Sequence, residues 1–240
     1  MILNNNKIVI TGGSGRFGTE LKKIKNKYNL LYPSKSKLNI LNIVNIKKYL
    51  KKHKPKYLIH LAGLSRPMDI HNEFINKSID LNIIGTANIT KVCWEFGIKL
   101  IYFSTCYIYP GKKGNYKETD SLLPSNKYAW SKLGGESAVQ MYDNSLILRV
   151  CMTEKPFVHK KAFYDFKTNF IFHDQVAKFL FKLINKKGII NLGGKSQTVF
   201  KFVKKFNPKI KKVSAKKILG SNYPLNPSMN IQKLKKIINS

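Results

Sequence analysis

Tyr128-Ala129-Trp130-Ser131-Lys132 places a phenol and an ammonium four residues apart, on one face of any helix that carries them. A cation that close, with a bound cofactor, lowers a phenol from its usual value of about 10 toward the working range, so Tyr128 can serve as acid or base. Upstream, the stretch Phe103-Ser104-Thr105-Cys106-Tyr107-Ile108-Tyr109-Pro110 offers hydroxyls where an apolar run ends. Near the start, Thr11-Gly12-Gly13-Ser14-Gly15-Arg16-Phe17-Gly18 reads T-G-x-x-G-x-x-G. Glycines at that spacing allow a sharp turn, close approach of backbone to a pyrophosphate and tight packing of helix on strand. The N–H groups of the following helix then face the phosphates. The three segments together describe proton transfer beside a bound dinucleotide.

A site that prefers NAD carries an acid about 20 residues past the glycine loop, to hold the ribose 2′-hydroxyl. This chain has no Asp or Glu between Glu20 and Asp69, and Ser34-Lys35-Ser36-Lys37 follows the second apolar run instead. With Arg16 inside the loop, cations and hydroxyls stand where a 2′-phosphate would sit, so NADPH is expected in preference to NADH.

The elements that must hold these residues alternate as βαβ units do. Strands are expected at Lys7–Thr11, Asn29–Tyr32, Tyr57–Leu61, Lys99–Phe103 and Ser145–Val150. Helices are expected at Phe17–Lys25, Ile43–Lys52, Tyr128–Tyr142 and over one long stretch from about Asp69 to Phe96, with Ile75, Ile79, Ile83 and Thr86 on one face. Past Cys151 the pattern loosens. Phe157–Phe172 is aromatic and basic without a period, followed by a helix at Asp174–Ile184, a strand at Ile189–Leu192, and helices at Thr198–Phe206 and Ile231–Ile238. The fold expected is α/β, a Rossmann-type doubly wound parallel sheet over residues 1–150, with residues 151–240 as a small substrate-binding cap packed on it.

The chain has 240 residues, 12 acids and a formal charge of +32, which would suit a polyanion partner. The composition argues otherwise: 41 Lys stand against 3 Arg, with 23 Asn and 27 Ile. Lys, Asn and Ile are the types an AT-rich genome favours, and the lysines are spread from Lys7 to Lys236. No specific nucleic-acid partner is expected. Cys93, Cys106 and Cys151 form no CxxC pair, so neither a disulfide framework nor a zinc ribbon is indicated. The five histidines show no metal-ligand spacing, and His60, inside an apolar strand, reads as a satisfied structural residue. Arg66 could reach a substrate phosphate or cap the next helix. Met1-Ile2-Leu3 and three asparagines carry no targeting pattern, and runs free of charge such as Leu100–Gly111 are too short to span a membrane. A cytoplasmic protein is expected, with a homodimer as a further possibility.

With loop, hydroxyl strand and Tyr/Lys helix in this order, the chain resembles the extended short-chain dehydrogenase/reductases that act on nucleotide sugars. Within them it looks most like the dTDP-4-dehydrorhamnose reductase branch. Leu38-Asn39-Ile40, His60-Leu61-Ala62-Gly63, Asn82-Ile83-Ile84-Gly85-Thr86 and Asn191-Leu192-Gly193-Gly194 extend the match over nearly the whole chain. The resemblance implies that Tyr128 is the proton donor or acceptor, that Lys132 tunes it and holds the nicotinamide ribose, and that Thr105, three residues before Ile108, bonds the reacting oxygen. It implies cofactor contacts at Gly12, Gly15, Arg16, Phe17, Gly18, Ser34, Lys35, Asn39, Ala62, Gly63, Asn82, Tyr128 and Lys132, with no metal. Asn39 stands where the family has Asp, which puts the adenine contact in question.

The reaction implied is reduction of a nucleotide-linked 4-keto-6-deoxy sugar by NADPH or NADH. Cys106 and Tyr107 occupy the positions where 4,6-dehydratases of this superfamily place an Asp-Glu pair, which argues against dehydration. Alternatives are a 4-epimerase, an epimerase-reductase, or a non-catalytic member that binds NADP or RNA. Epimerase-reductases carry a Cys two residues after the hydroxyl, whereas Cys106 follows Thr105 directly and is expected to be a buried core thiol facing the other way.

Overall fold

In the computed structural model, which describes residues 6–239, strands and helices alternate through the first 150 residues. Residues 1–5, read above for a targeting pattern, lie outside the described residues. The elements run β1 (Lys7–Thr11), α1 (Arg16–Lys22), β2 (Asn29–Leu31), α2 (Ile43–His53), β3 (Tyr57–His60), α3 (Ile70–Glu73), α4 (Ile75–Ser78), a π-helical turn (Ile79–Ile84), α5 (Gly85–Glu95), β4 (Lys99–Thr105), α6 (Lys127–Gln140) and β5 (Ser145–Val150). Then follow β6 (Met152–Thr153), β7 (Lys161–Phe163), β8 (Lys167–Thr168), β9 (Ile171–Phe172), α7 (His173–Leu183), β10 (Gly188–Leu192), β11 (Gln197–Thr198), α8 (Val199–Lys204), β12 (Lys211–Val213), α9 (Ala215–Leu219) and α10 (Gln232–Asn239).

Six strands form one parallel sheet in the order β2-β1-β3-β4-β5-β10. Successive side chains point to opposite faces of a strand, so its near-continuous apolar runs fill two layers. Ile8, Ile10, Ile59, Ile101, Leu148 and Ile190 pack on one face against Phe17 and Leu21 of α1 and Val176 and Leu180 of α7. Val9, Leu58, Leu100, Tyr102 and Ile147 pack on the other against Ile46 and Leu50 of α2, Ile89 and Val92 of α5 and Val139 of α6. This is the doubly wound Rossmann arrangement.

Two expectations are corrected. The boundary at Val150 does not divide the sheet from the rest, because β10 pairs with β5 in parallel and α7 covers one face. What lies outside the sheet is a smaller unit of three two-stranded pairs, β6·β9, β7·β12 and β8·β11. Its own core contains Phe166, Phe172, Val199, Phe202, Val203 and Ile210. The helix expected from Asp69 to Phe96 is broken at Phe74, whose φ of −127° and ψ of 67° are not helical, and again by the π-turn. The added residue of a π-turn shifts the apolar stripe, so Ile75 and Ile79 stay 48% and 42% exposed while Asn82 and Thr86 turn inward.

Candidate active site

The glycine loop leaves β1 with Gly12 at φ 70°, a conformation that costs glycine nothing and other residues much. A Cβ at Gly12 would strike the backbone of Ala62, so here two loops, one after β1 and one after β3, lie against each other. Gly15 N–H donates to the Gly12 carbonyl at 3.0 Å, and a Cβ at Gly18 would strike Gly13, which brings the start of α1 close to the turn. Ser14, Gly15 and Arg16 form an exposed lip. The Phe17 side chain is buried, 5.0 Å from the Phe103 ring, so only its backbone can face a phosphate. Such a cradle, closed to side chains and open to solvent, fits a dinucleotide pyrophosphate.

The loop after β3 is held from above by Asn82. Its Oδ1 accepts from Leu64 N–H at 2.7 Å, and its Nδ2 donates to the Leu64 carbonyl and to Ser131 Oγ, both at 2.8 Å. Asn82 is therefore a clamp between that loop and α6, with its amide committed, and it also closes the space above Gly63. This differs from the expected cofactor contact, because the π-turn directs it at the loop. Asn39 Oδ1 likewise accepts from Leu41 N–H at 3.1 Å within its own turn. Ser34 and Lys35 lie exposed beyond β2, with Ser34 Oγ and Ser36 Oγ 2.8 Å apart.

Arg16 points the other way. Its Nη1 meets Glu154 Oε1 at 3.0 Å and its Nη2 donates to Ser65 Oγ at 3.4 Å, both toward β3 and β5 and away from the β2 side where Lys35 stands. Arg66 Nη1 donates to the same carboxylate at 3.0 and 3.1 Å. Glu154, lowered below its ordinary range by Arg66 and Arg16 against the opposing effect of burial, thus ties the glycine loop and the loop after β3 to the segment after β6. The expected grouping of Arg16 with Lys35 and Lys37 is corrected, because the Glu154 carboxylate draws the guanidinium by a charge-assisted contact, whereas the like-charged lysines offer it no acceptor.

The side chain of Asn126 caps α6, accepting from Ala129 N–H at 2.8 Å, which puts Tyr128 in the first helical turn. Thr105, the last residue of β4, lies within hydrogen-bonding reach of the Tyr128 phenol and also accepts from Tyr107 N–H at 3.3 Å. Burial first, and then the nearby Cys106, push the phenol up to about 12, while Thr105, Arg66 and Arg16 pull it down. Lys132 Nζ sits 4.1 Å from the centre of the Tyr102 ring, and burial pushes it down to about 7 against the attraction of Glu136. Tyr102 in turn donates its hydroxyl to the Lys132 carbonyl at 3.0 Å, locking β4 to α6.

Beneath Lys132 lies a buried ion pair that the sequence reading passed over. Glu136 Oε1 accepts from Arg149 Nε at 3.0 Å and Nη2 at 2.7 Å, with the two side chains 0% and 2% exposed. Glu136 follows Lys132 by four residues, the same spacing that links Tyr128 to Lys132, and that spacing could have found it. Glu154 gave no such signal, because its partners are remote in sequence. Cys106 is buried as expected, but it opens a short 3₁₀ turn, so strand alternation does not apply, and its thiol meets that of Cys151. His60 is satisfied on both ring nitrogens, by Thr11 Oγ1 at 2.7 Å and Thr86 Oγ1 at 3.1 Å.

Sheet, glycine loop and the helix bearing Tyr128 and Lys132 define a protein of Rossmann-type fold. Residues 6–163 match the RmlD substrate binding domain, and the chain belongs to that family. Among curated proteins it is similar to methionine adenosyltransferase 2 subunit beta of Xenopus laevis, 31% identical over 154 residues, covering 60% of this chain and 46% of that protein. It is also similar to the dTDP-4-dehydrorhamnose reductase of Aggregatibacter actinomycetemcomitans, 28% identical over 152 residues, covering 61% and 51%. The match thus spans about half the length of these relatives. The fold is that of the Bacillus anthracis dTDP-4-dehydrorhamnose reductase solved in complex with NADP, with a TM-score of 0.86 and 22% identity over 97% of this chain and 92% of that one.

Proposed function

We propose that this protein is a reductase that transfers hydride from NADPH to the 4-keto carbon of a nucleotide-linked 6-deoxy sugar. The observation that carries the reading is the placement of the Tyr128 phenol, on the helix that also bears Lys132, within reach of Thr105 at the end of β4. NADPH, when bound, supplies the hydride. Gly12, Gly15 and Gly18 would hold its pyrophosphate, and Ser34 and Lys35, beyond β2, would hold its 2′-phosphate. Tyr128 holds its proton at neutral pH, since its phenol is pushed up to about 12. As the carbonyl oxygen gains charge, the phenol O–H bond breaks toward it, and the phenolate left behind is met by the Thr105 hydroxyl and eased by the charges of Arg66 and Arg16. Water then returns a proton to Tyr128.

We place reduction before 4-epimerisation on the likeness to dTDP-4-dehydrorhamnose reductase, and net oxidation of NADPH separates the two. The second reading, a partner subunit of another enzyme, draws on the 31% identity to a methionine adenosyltransferase subunit. We favour the reductase because the chain keeps all three reacting groups, and we take its working place to be the cytoplasm, as a homodimer. The test is oxidation of NADPH in the presence of dTDP- and UDP-4-keto-6-deoxyglucose. Turnover with net oxidation is expected. NADPH binding without turnover on either sugar would favour the subunit reading.

A further inference from the structure

Lys99, the first residue of β4, is only 6% exposed, and among the described residues no carboxylate pairs with it. Buried lysines are normally matched by an opposite charge, because a bare ammonium is costly to remove from water. Its Nζ donates to the Ser145 carbonyl at 3.2 Å, which leaves two of its three N–H groups without an acceptor among the described residues. Burial, and then Lys187, push its pKa down to about 8. Lys99 lines a hollow of about 210 Å³ together with Lys56, Tyr57, Asn144, Asn185 and Lys187. The hollow lies at the end of the sheet where β3, β4, β5 and β10 begin, and Thr105 stands six residues away along β4, roughly 20 Å from Lys99. The Tyr57 hydroxyl donates to Asn185 Oδ1 at 2.6 Å, so the Asn185 amide N–H groups remain as further donors. Three lysines and no carboxylate line this space.

We propose that Lys56, Lys99 and Lys187 form a binding site for a small tetrahedral oxyanion of the phosphate or sulfate class, which supplies the counter-charge that Lys99 lacks. The volume selects the ligand: about 210 Å³ is below the ~300 Å³ at which pockets for organic ligands begin, and equals the space of roughly seven water molecules. Such an anion accepts at several oxygens, so it can meet the two open N–H groups of Lys99 and the flanking ammonium groups together, by charge-assisted bonds. The site lies at the opposite end of the sheet from Thr105, and it does not depend on the reading of the protein as a reductase.

The experiment follows the ¹³Cε resonance of Lys99 against pH in the full chain, in chloride and in inorganic phosphate at equal ionic strength, with the signal assigned by its loss in Lys99→Arg. An anion held only by the protonated amine raises the midpoint by the logarithm of one plus the ratio of ligand to Kd. Phosphate at about ten times its Kd should therefore lift it by about one unit from about 8. Lys187→Ala, a change at an exposed position, is expected to raise the midpoint in chloride, because a like charge is gone, and to weaken phosphate binding by about two- to fivefold. Equal midpoints in chloride and phosphate would overturn the proposal. So would a Kd for phosphate that Lys187→Ala leaves unchanged, which would mark an adventitious ion only. Should Lys99→Arg not fold, calorimetric titration of the wild type, Lys56→Ala and Lys187→Ala with phosphate decides: weaker binding in either variant supports the site, and no binding or the same Kd in all three refutes it.

Discussion

Replacing Glu136 by Leu should be among the most damaging single changes to this protein, and the damage should come in two separable parts. Arg149, 2% exposed, has Nε and Nη2 on Glu136, and Nη1 on the Tyr109 hydroxyl at 2.7 Å and the Glu118 carbonyl at 3.0 Å. Removing the carboxylate leaves two donor groups and a full charge uncompensated in the interior, which costs about 3–5 kcal/mol. For a domain of this size each kcal/mol lowers Tm by roughly 2–4 °C, so a fall of about 6–20 °C is expected in a thermal melt. In Glu136→Leu/Arg149→Met the buried charge is gone as well, and at least half of the loss should return. The second part concerns Lys132, whose protonation Glu136 supports against burial. Without that carboxylate the lysine loses its proton at a lower pH, so the alkaline limb of kcat moves down from about 7 in both variants and does not return in the double. A single variant that melts within about 2 °C of the wild type would refute the energetic argument. An alkaline limb restored by Arg149→Met would refute the coupling to Lys132.

Cofactor choice should depend on the β2 side and not on Arg16: Lys35→Ala is expected to raise KM for NADPH by about tenfold with little change for NADH, the worth of one charge-assisted bond. Arg16→Ala should raise both Michaelis constants together, because Arg16 ties the loop to Glu154; a loss confined to NADPH would contradict the geometry. His60 is pushed down to about 3 by burial and then by Lys132, so it stays neutral in the fold while the unfolded chain takes up a proton near 6.5. Stability from this group is therefore full above pH 6.5 and is lost as pH falls toward 3, by up to about 1.4 kcal/mol per pH unit. Urea midpoints between pH 7 and 5 should fall more steeply for the wild type than for His60→Asn, and parallel slopes would refute the assignment.

The sheet was legible because each of its strands is a short apolar run closed by polar residues or glycine, and burial on both faces leaves such runs no other use. The Thr11–Gly18 loop and the Tyr128/Lys132 pair were legible for a different reason: their partners lie within one turn of the chain. The same locality explains the failures. Arg16 reads as a phosphate ligand until Glu154, far along the chain, is brought against it. Asn82 reads as a cofactor contact until the π-turn aims it at Leu64. The outer unit was opaque because its strands are two or three residues long and pair across long intervals, as Lys161–Phe163 does with Lys211–Val213. Its aromatic cluster of Phe166, Phe172 and Phe202 forms only when those strands meet.

The central claim, hydride delivery to a sugar carbonyl with Tyr128 as the acid, is tested most directly with NADPH carrying deuterium at nicotinamide C4. Incubated with the 4-keto-6-deoxy nucleotide sugar that supports oxidation, the wild type should return a 6-deoxy sugar with one deuterium at C4, read by mass spectrometry and proton NMR. Tyr128→Phe should form this product slower by a factor on the order of 10² or more, since one positioned acid contributes that much. A product without deuterium at C4, or a Tyr128→Phe protein that makes it at the wild-type rate, would contradict the account.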